Sequence, residues 1–403
     1  MPYHKNYQVR SVFSLVFFLW IAGMLCIPHS RWNNSLAVGS AFGSAVIAGL
    51  SIRNDSIAKG RMGPILWGIL VFLTMDLLSC LWAVFPLAAA RVTVFHCSAA
   101  LLGGVTYALT AREDDVHSLL TAIYAALVFS ALYGLLLYFS HRDAYAVAIG
   151  RELRPRLGST LEHGINYGEF VAMAFPLAAI RADQAADRRA RGILRLLLLF
   201  PLGALALTYS RTGYLALSAA VIVWKRLWKK PGVLLLIAVA AIMLLPGNVL
   251  ARAMTMLTVT DESASGRFTL WRECFAALRE HWLFGIGGGS ENFFRAYLPH
   301  ASGTLPFQPP HTNMGYMEIF LSLGVIGEIA FLVFFLGIFP RIRSALSRQP
   351  VSAHANLLRA AEGSLAGAAA ANIPEHIWFY PRVLFFWSVV YALAFRLSEK
   401  EAA

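Results

Sequence analysis

The chain is a succession of apolar segments, interrupted by one long polar stretch from Pro246 to Glu318. The segments run over 11–27, 35–52, 64–85, 92–110, 117–140, 165–180, 193–209, 212–224, 232–246, 314–339, 361–373 and 382–397. They number about twelve and are mostly about 15 to 24 residues long, the length that crosses a hydrocarbon core of roughly 30 Å as helix. A backbone in lipid must satisfy its own hydrogen bonds, so segments of this kind span as helices. Composition agrees, because 58% hydrophobic and 14% charged residues over 403 positions leave more apolar surface than a soluble core can hide. The expected fold is an all-α polytopic membrane bundle. Helices one to nine occupy 1–246, a polar loop with an amphipathic helix forms a cap over 247–313, and helices ten to twelve with a tail occupy 314–403.

Lys5 and Arg10 precede the first apolar segment, yet Cys26 follows Leu25 and no small-x-small cleavage site appears. An uncleaved first span is therefore expected. Lysine and arginine accumulate in cytoplasmic loops. Assigning Arg53 to Arg61, Arg181 to Arg195, Lys225 to Lys230, Arg341 to Arg359 and the tail to the cytoplasm places about 21 of the 34 basic residues inside. Both termini then face the cytoplasm and the long polar loop lies outside. The net charge of +12 reads as a topology determinant in contact with membrane lipids, and no nucleic-acid partner is expected. All six lysines fall inside, while every external cation is arginine. Either codon bias favours arginine, or planar guanidinium forks are wanted where anionic oxygens are gripped in two places. Cys26, Cys80, Cys97 and Cys274 suggest packing residues and no disulfide or metal framework.

Several polar residues stand out along the chain. Asp76, inside the third span, is either a functional intramembrane carboxylate or a structural hydrogen-bonded one. Arg91 is read as a headgroup anchor. The loop His141–Gly164 holds Arg142, Arg151, Arg154 and Arg156 with Glu162 and His163, which forms a solvated face, a lipid-headgroup patch or an anion funnel above the bundle. Thr208-Tyr-Ser-Arg211-Thr-Gly213 separates two apolar runs by a bare turn. Arg211 therefore lies at the external hydrocarbon boundary, either snorkelling or holding lipid phosphates.

In the long loop, Ser265 is the expected N-cap of an amphipathic helix whose apolar stripe, Phe268, Trp271, Phe275, Leu278 and Trp282, lies on the bundle mouth or in the membrane interface. Arg267 then falls in the first turn, where the dipole already favours anions, so either an anion docks there or Arg267 reaches away to Asp261 or Glu262. Gly285-Ile-Gly-Gly-Gly289 lacks both the Gly-Lys-Ser/Thr ending and the preceding strand of a phosphate loop, and reads as a permissive turn. His311 follows Pro309 and Pro310, near Asn313 and about two turns before Glu318. It is a bystander or a proton acceptor. Pro374-Glu375-His376 with Arg382 forms a small external turn beside the same chamber.

Taken together, these motifs resemble the O-antigen ligase and polymerase superfamily of polytopic C-type-like glycosyltransferases. The resemblance rests on the Ser-Arg-Thr-Gly turn at 210–213, Ser-Gly-Arg-x-x-x-Trp at 265–271, Gly-x-Gly at 285–287, His311 and Asn313, and a following span containing Leu-Gly-Val-Ile-Gly327. It implies transfer of a glycan from undecaprenyl pyrophosphate to the lipid A core oligosaccharide at the periplasmic face of a bacterial inner membrane. Arg211 and Arg267 would bind the pyrophosphate and His311 would act as base, with Arg142, Arg156, His163, Trp271, Asn313 and Glu318 in support. No Asp-x-Asp pair or His/carboxylate cluster marks the external face, so a metal-independent, inverting reaction without cofactor is expected. The rival readings are an O-antigen polymerase or a protein-directed oligosaccharyltransferase, and, from a different class, a transporter of lipid-linked sugars, which should place charge pairs and broken helices near midplane.

Overall fold

The computed structural model describes residues 2–28, 63–140, 142, 146–149, 152–233, 262–303 and 308–399. The expected second span, nearly all of the ninth, the Arg53–Arg61 loop, Arg151, and the first part of the long loop through Asp261 lie outside the described residues.

The helices are α1 (Pro2–Cys26), α2 (Pro64–Ser79), α3 (Pro86–Leu109), α4 (Glu113–Phe139), α5 (Gly164–Asp183), α6 (Arg188–Leu197), α7 (Leu199–Leu207), α8 (Arg211–Lys225), α9 (Glu262–His281), α10 (Ser290–Tyr297), α11 (Gly315–Arg348), α12 (Ala353–Ala371) and α13 (Pro381–Glu399). A short antiparallel hairpin, β1 (Ala146–Ile149) and β2 (Glu152–Pro155), pairs Val147 with Arg154 where an open loop was expected. Among the described residues, five helical stretches are long and apolar enough to cross a membrane: α3, α4, α6 with α7 over Arg188–Leu207, α11 and α13. Ser14–Cys26 and α2 are shorter apolar helices. The protein is a helical membrane protein. Its outer faces agree, with Leu77, Leu81, Leu87, Leu136 and Phe139 all exposed in a pattern that suits lipid and would be a liability in water.

Small residues set the packing. A Cβ on Gly168 would lie 2.8 Å from the Gly213 Cα, one on Gly363 2.6 Å from the Ala220 carbonyl, and one on Gly367 2.9 Å from the Ala216 carbonyl. These contacts draw α5, α8 and α12 into backbone proximity, the usual means of helix association in lipid. On the opposite side Gly68 of α2 seats against Ala330 of α11.

α11 is broken at Gly324, whose φ of +67° departs from helix. The glycine loop fills the break. Ile286 N–H donates to the Leu321 carbonyl, Gly287 N–H to Ser322, and Val325 N–H to Trp282, at 2.8–2.9 Å. Carbonyls that the break would orphan are thereby satisfied inside protein, the condition for irregular backbone in a membrane helix. Gly285 has φ +72° and a Cβ there would come within 2.4 Å of the Ser322 backbone, so these glycines act as an insert into a helix rather than as a turn alone.

α9 departs from expectation in two ways. It starts at Glu262, so Ser265 lies inside the helix and Arg267 in its second turn, where the first-turn dipole argument no longer applies. Its packed face is Leu270, Cys274, Ala277 and Leu278, which join Ile286, Phe293, Tyr297, Met317 and Leu321 in a small separate core. Phe268, Phe275 and Trp282 of the expected apolar stripe are instead exposed. The small buried residues fit the close approach of α10 and α11, and the large rings do not.

Candidate functional site

The site is assembled where the start of α11 meets the turn between α12 and α13. Gly315 N–H is shared between the carbonyls of Asn372 and Glu375, at 2.9 and 3.0 Å. Any side chain at 315 would overlap Asn372, so glycine is what lets the two segments touch. That contact sets His311 and Thr312 against Glu375 and His376.

The His311 loop is locked on three sides. Thr312 is fully buried; its N–H donates to Glu318 Oε2 at 2.9 Å, and its carbonyl accepts from Trp271 Nε1 at 3.0 Å. Asn313 adopts φ +52°, and its N–H donates to His311 Nδ1 at 3.1 Å. Trp271, Asn313 and Glu318 therefore position the loop. With Nδ1 accepting, the hydrogen-bond network assigns the proton of the neutral ring to Nε2. That atom lies 4.0 Å from Glu375 Oε1, and the ring packs edge-on against His376 with centroids 5.6 Å apart.

Glu375 is the hub. It is buried, and Arg267 Nη2 lies 3.5 Å from its Oε2. Burial raises its carboxyl above the usual range, against the opposing pull of Arg267, the His376 N–H and Arg156. Burial together with the Arg267 charge pushes His311 down to about 4. His376 is lowered too, by burial and by the neighbouring His311 and His96. Both imidazoles are thereby held toward the neutral form, beside fixed guanidinium charge.

Arg211 is the first residue of α8 and half-buried. The preceding turn forms as the sequence suggests, with Tyr209 at φ +50° and Ser210 capping α8 by accepting from Gly213 N–H at 3.1 Å. Arg156 holds this turn through Nε to the Thr208 carbonyl at 2.7 Å, and its charge also acts on Glu375. Arg156 thus ties the turn that precedes Arg211 to the surroundings of Glu375. His163 stands beside Arg156, its imidazole lowered by burial and by that guanidinium. Arg142 is exposed near the hairpin, its N–H bonded to the Leu137 carbonyl. Arg382 is drawn away from the chamber, where its Nη1 donates to the carbonyls of Ile27 and Thr160.

Residues 196–332 match the family model described as O-Antigen ligase. The match supports a protein of the O-antigen ligase type. No curated protein matches it. The ligase-family segment contains Arg211, Arg267, Trp271, the glycine loop, His311, Asn313 and the break in α11, whereas Arg156, Glu375 and His376 lie outside it. The match supports a glycosyltransferase-like enzyme in general terms. The centrality of Glu375 was not legible in the sequence, where it is one of the 22 acidic residues, set in a turn of undistinguished composition more than 60 positions beyond His311. Asp76 also finds a partner that the sequence did not suggest, His96 of α3, with Oδ2 to Nδ1 at 2.8 Å.

Proposed function

We propose that this protein transfers O-antigen polysaccharide from undecaprenyl pyrophosphate to the lipid A core oligosaccharide. The reaction would run at the periplasmic face of a bacterial inner membrane, in a bundle of about twelve spans capped by α9 and α10. The observation that carries this reading is the meeting of Arg267 and His311 on the buried carboxylate of Glu375, with Arg156 linking that group to the Arg211 turn.

Arg211 and Arg267 hold the pyrophosphate and stabilise the charge that grows on it as the glycosidic C–O bond breaks. The acceptor hydroxyl attacks the anomeric carbon from the opposite face and inverts it. Its proton passes to the His311–Glu375 couple. His311 Nδ1 is occupied by the Asn313 N–H, so in this conformation the Glu375 carboxylate, 4.0 Å from His311 Nε2, is the open acceptor. Donor binding and base strength are coupled. The Arg267–Glu375 contact is long for an ion pair, at 3.5 Å, and a pyrophosphate competes for the same guanidinium. Once Arg267 turns to phosphate, the main charge that opposes the burial of Glu375 is lost and the carboxylate becomes a stronger base.

Purified protein in nanodiscs, given lipid-linked O-antigen and lipid A core, tests the reading. The expected result is a core-linked polymer on a gel, which is lost in Arg211→Ala and Arg267→Ala. Transfer that persists in both variants removes the site assignment. Joining of lipid-linked repeats to each other, with core left bare, turns the reading into the polymerase.

A further inference from the structure

Next to the site lies a cavity of about 280 Å³ between α2, α3, α11 and the Ile377–Phe379 turn. It is lined by Asp76, His96, Phe95, Trp378 and Glu318, and at its inner end by His376, the ring that packs on His311. Arg91 and Glu291 pair at 3.4 Å on its exposed rim. The reaction proposed above assigns no role to Asp76, Phe95, His96, Trp378 or the rim pair.

The wall chemistry narrows the ligand. Asp76 and His96 are both buried and bonded at 2.8 Å through His96 Nδ1, which leaves Nε2 as the nitrogen for a ligand. The Asp76 site is built rather than incidental, because its backbone carbonyl accepts from Thr93 Oγ1 and Ser79 Oγ. Trp378 is 5% exposed and its Nε1–H has no acceptor among the described residues. A buried N–H left without a partner costs about 1–3 kcal/mol, so a ligand oxygen there would be favoured. Two carboxylates in the wall and a single rim cation already paired make the cavity hostile to phosphate. Phe95 and Trp378 supply apolar wall, while Asp76, His96 and the indole N–H supply both acceptors and donors. A neutral ring with one apolar face and an edge of hydroxyls matches that set. The volume lies at the lower limit of the roughly 300–1,000 Å³ range of small-molecule sites, enough for one ring and not a chain.

We propose that this cavity is a sugar subsite that takes one ring of the acceptor glycan, its hydroxyls on the Asp76–His96 pair and the Trp378 N–H, and its far edge toward His376 and His311. The word acceptor rests on the transfer reaction proposed above; the sugar subsite stands apart from it. Asp76, His96 and Trp378 are binding residues in this scheme and hold the ring without taking part in bond making.

The test has two readouts. Saturation-transfer difference NMR on the nanodisc protein, with methyl glycosides of glucose, galactose and N-acetylglucosamine as probes, should show ring-proton signals for at least one of them. That signal should fall several-fold in Asp76→Asn, His96→Gln and Trp378→Phe, each first checked for an unchanged melting temperature. Trp378→Phe keeps an aromatic side chain and removes the N–H together with the five-membered ring, so replacing Trp378 by benzothienylalanine, which swaps the N–H for sulfur in the same bicycle, separates loss of a donor from loss of packing. No signal in the unmodified protein, or equal signal in all three variants, overturns the subsite. With donor and core acceptor supplied, the same variants should raise the acceptor KM about tenfold, as loss of about 1.4 kcal/mol implies, and leave the donor KM unchanged. A matching rise in donor KM, or no rise in acceptor KM, overturns the acceptor assignment. A sugar signal in protein that transfers no glycan sinks the transfer reading and keeps the subsite.

Discussion

Replacing Glu375 by glutamine keeps the size of the hub side chain and removes its charge. At 3.5 Å the attraction of Arg267 for Glu375 is about 5 kcal/mol at an effective dielectric constant of 20, offset by the several kcal/mol it costs to bury the carboxylate. Removing one partner of a fully buried pair costs about 3–5 kcal/mol of stability. Here the cost should fall below that range, because the Arg267 side chain is 21% exposed and can recover some hydration. The two kinetic constants should move apart. Without Glu375 as competitor, Arg267 is released to phosphate, so the donor KM should stay level or fall. Without the carboxylate, proton transfer loses its acceptor and kcat should drop by about 10²–10⁴. The assay is single-turnover transfer of a fluorescent lipid-linked glycan to core oligosaccharide in nanodiscs, with donor binding measured separately. A kcat within threefold of the unmodified enzyme, or a fall carried wholly by donor KM, would refute the role given to Glu375.

Other outcomes follow from the same geometry. Because Glu375 sits above the ordinary carboxylate range and must be ionised to act, transfer should decline as pH falls through that raised value; the acid limb of kcat should lie at higher pH than that of kcat/KM, since bound donor draws Arg267 away, and coincident limbs would count against the coupling. His311, ordinarily near 6.5 and lowered to about 4, binds fewer protons folded than unfolded between those values. Its contribution is therefore complete above about pH 6.5 and lost as pH falls toward 4, by up to about 3 kcal/mol. Melting in detergent at pH 7.5 and 5 should show the drop, and His311→Gln should flatten it. Gly324→Ala forces a side chain to φ +67° and within 2.1 Å of the Leu283 carbonyl, so it should lower the melting temperature sharply. Gly303→Ala, at φ +72° with nothing within 4 Å, should cost only the backbone strain of about 1 kcal/mol. Trp271→Phe removes the donor to the Thr312 carbonyl and should reduce kcat several-fold while donor binding is kept.

Much of the scaffold was legible because lipid imposes a simple rule on sequence. Where the chain is apolar for the thickness of a bilayer, the structure has helix, as in α3, α4 and α11, and where Ser210-Arg-Thr-Gly213 interrupts two runs the helices part and restart at Arg211. The amphipathic helix in the long loop was legible as a helix, but its face was not. Periodicity put the aromatic rings on the bundle mouth or in the membrane interface; in the structure Phe268, Phe275 and Trp282 are exposed, and the packed side is made of Leu270, Cys274 and Ala277, because small side chains allow the helices to approach. The break in α11 was hidden for a different reason. Gly324 lies in a run that reads as continuous span, and only the glycines some 40 residues earlier, which dock into it, show why the helix opens there. The site itself was half legible. Arg267 and His311 stand out as polar groups in motifs, and the Pro374–His376 turn was expected beside the chamber, but the hub position of Glu375 and the place of Trp378 emerge only through contacts made across the bundle. His96 did carry a signal, since an imidazole in one apolar span next to an aspartate in the preceding one is costly unless the two meet.

The most direct measurement is a structure of the protein in nanodiscs with undecaprenyl pyrophosphate bound. Phosphate density within about 3 Å of the Arg211 and Arg267 guanidinium groups, with Arg267 withdrawn from Glu375, is the predicted result. Phosphate held elsewhere, with the Arg267–Glu375 contact intact, would contradict it.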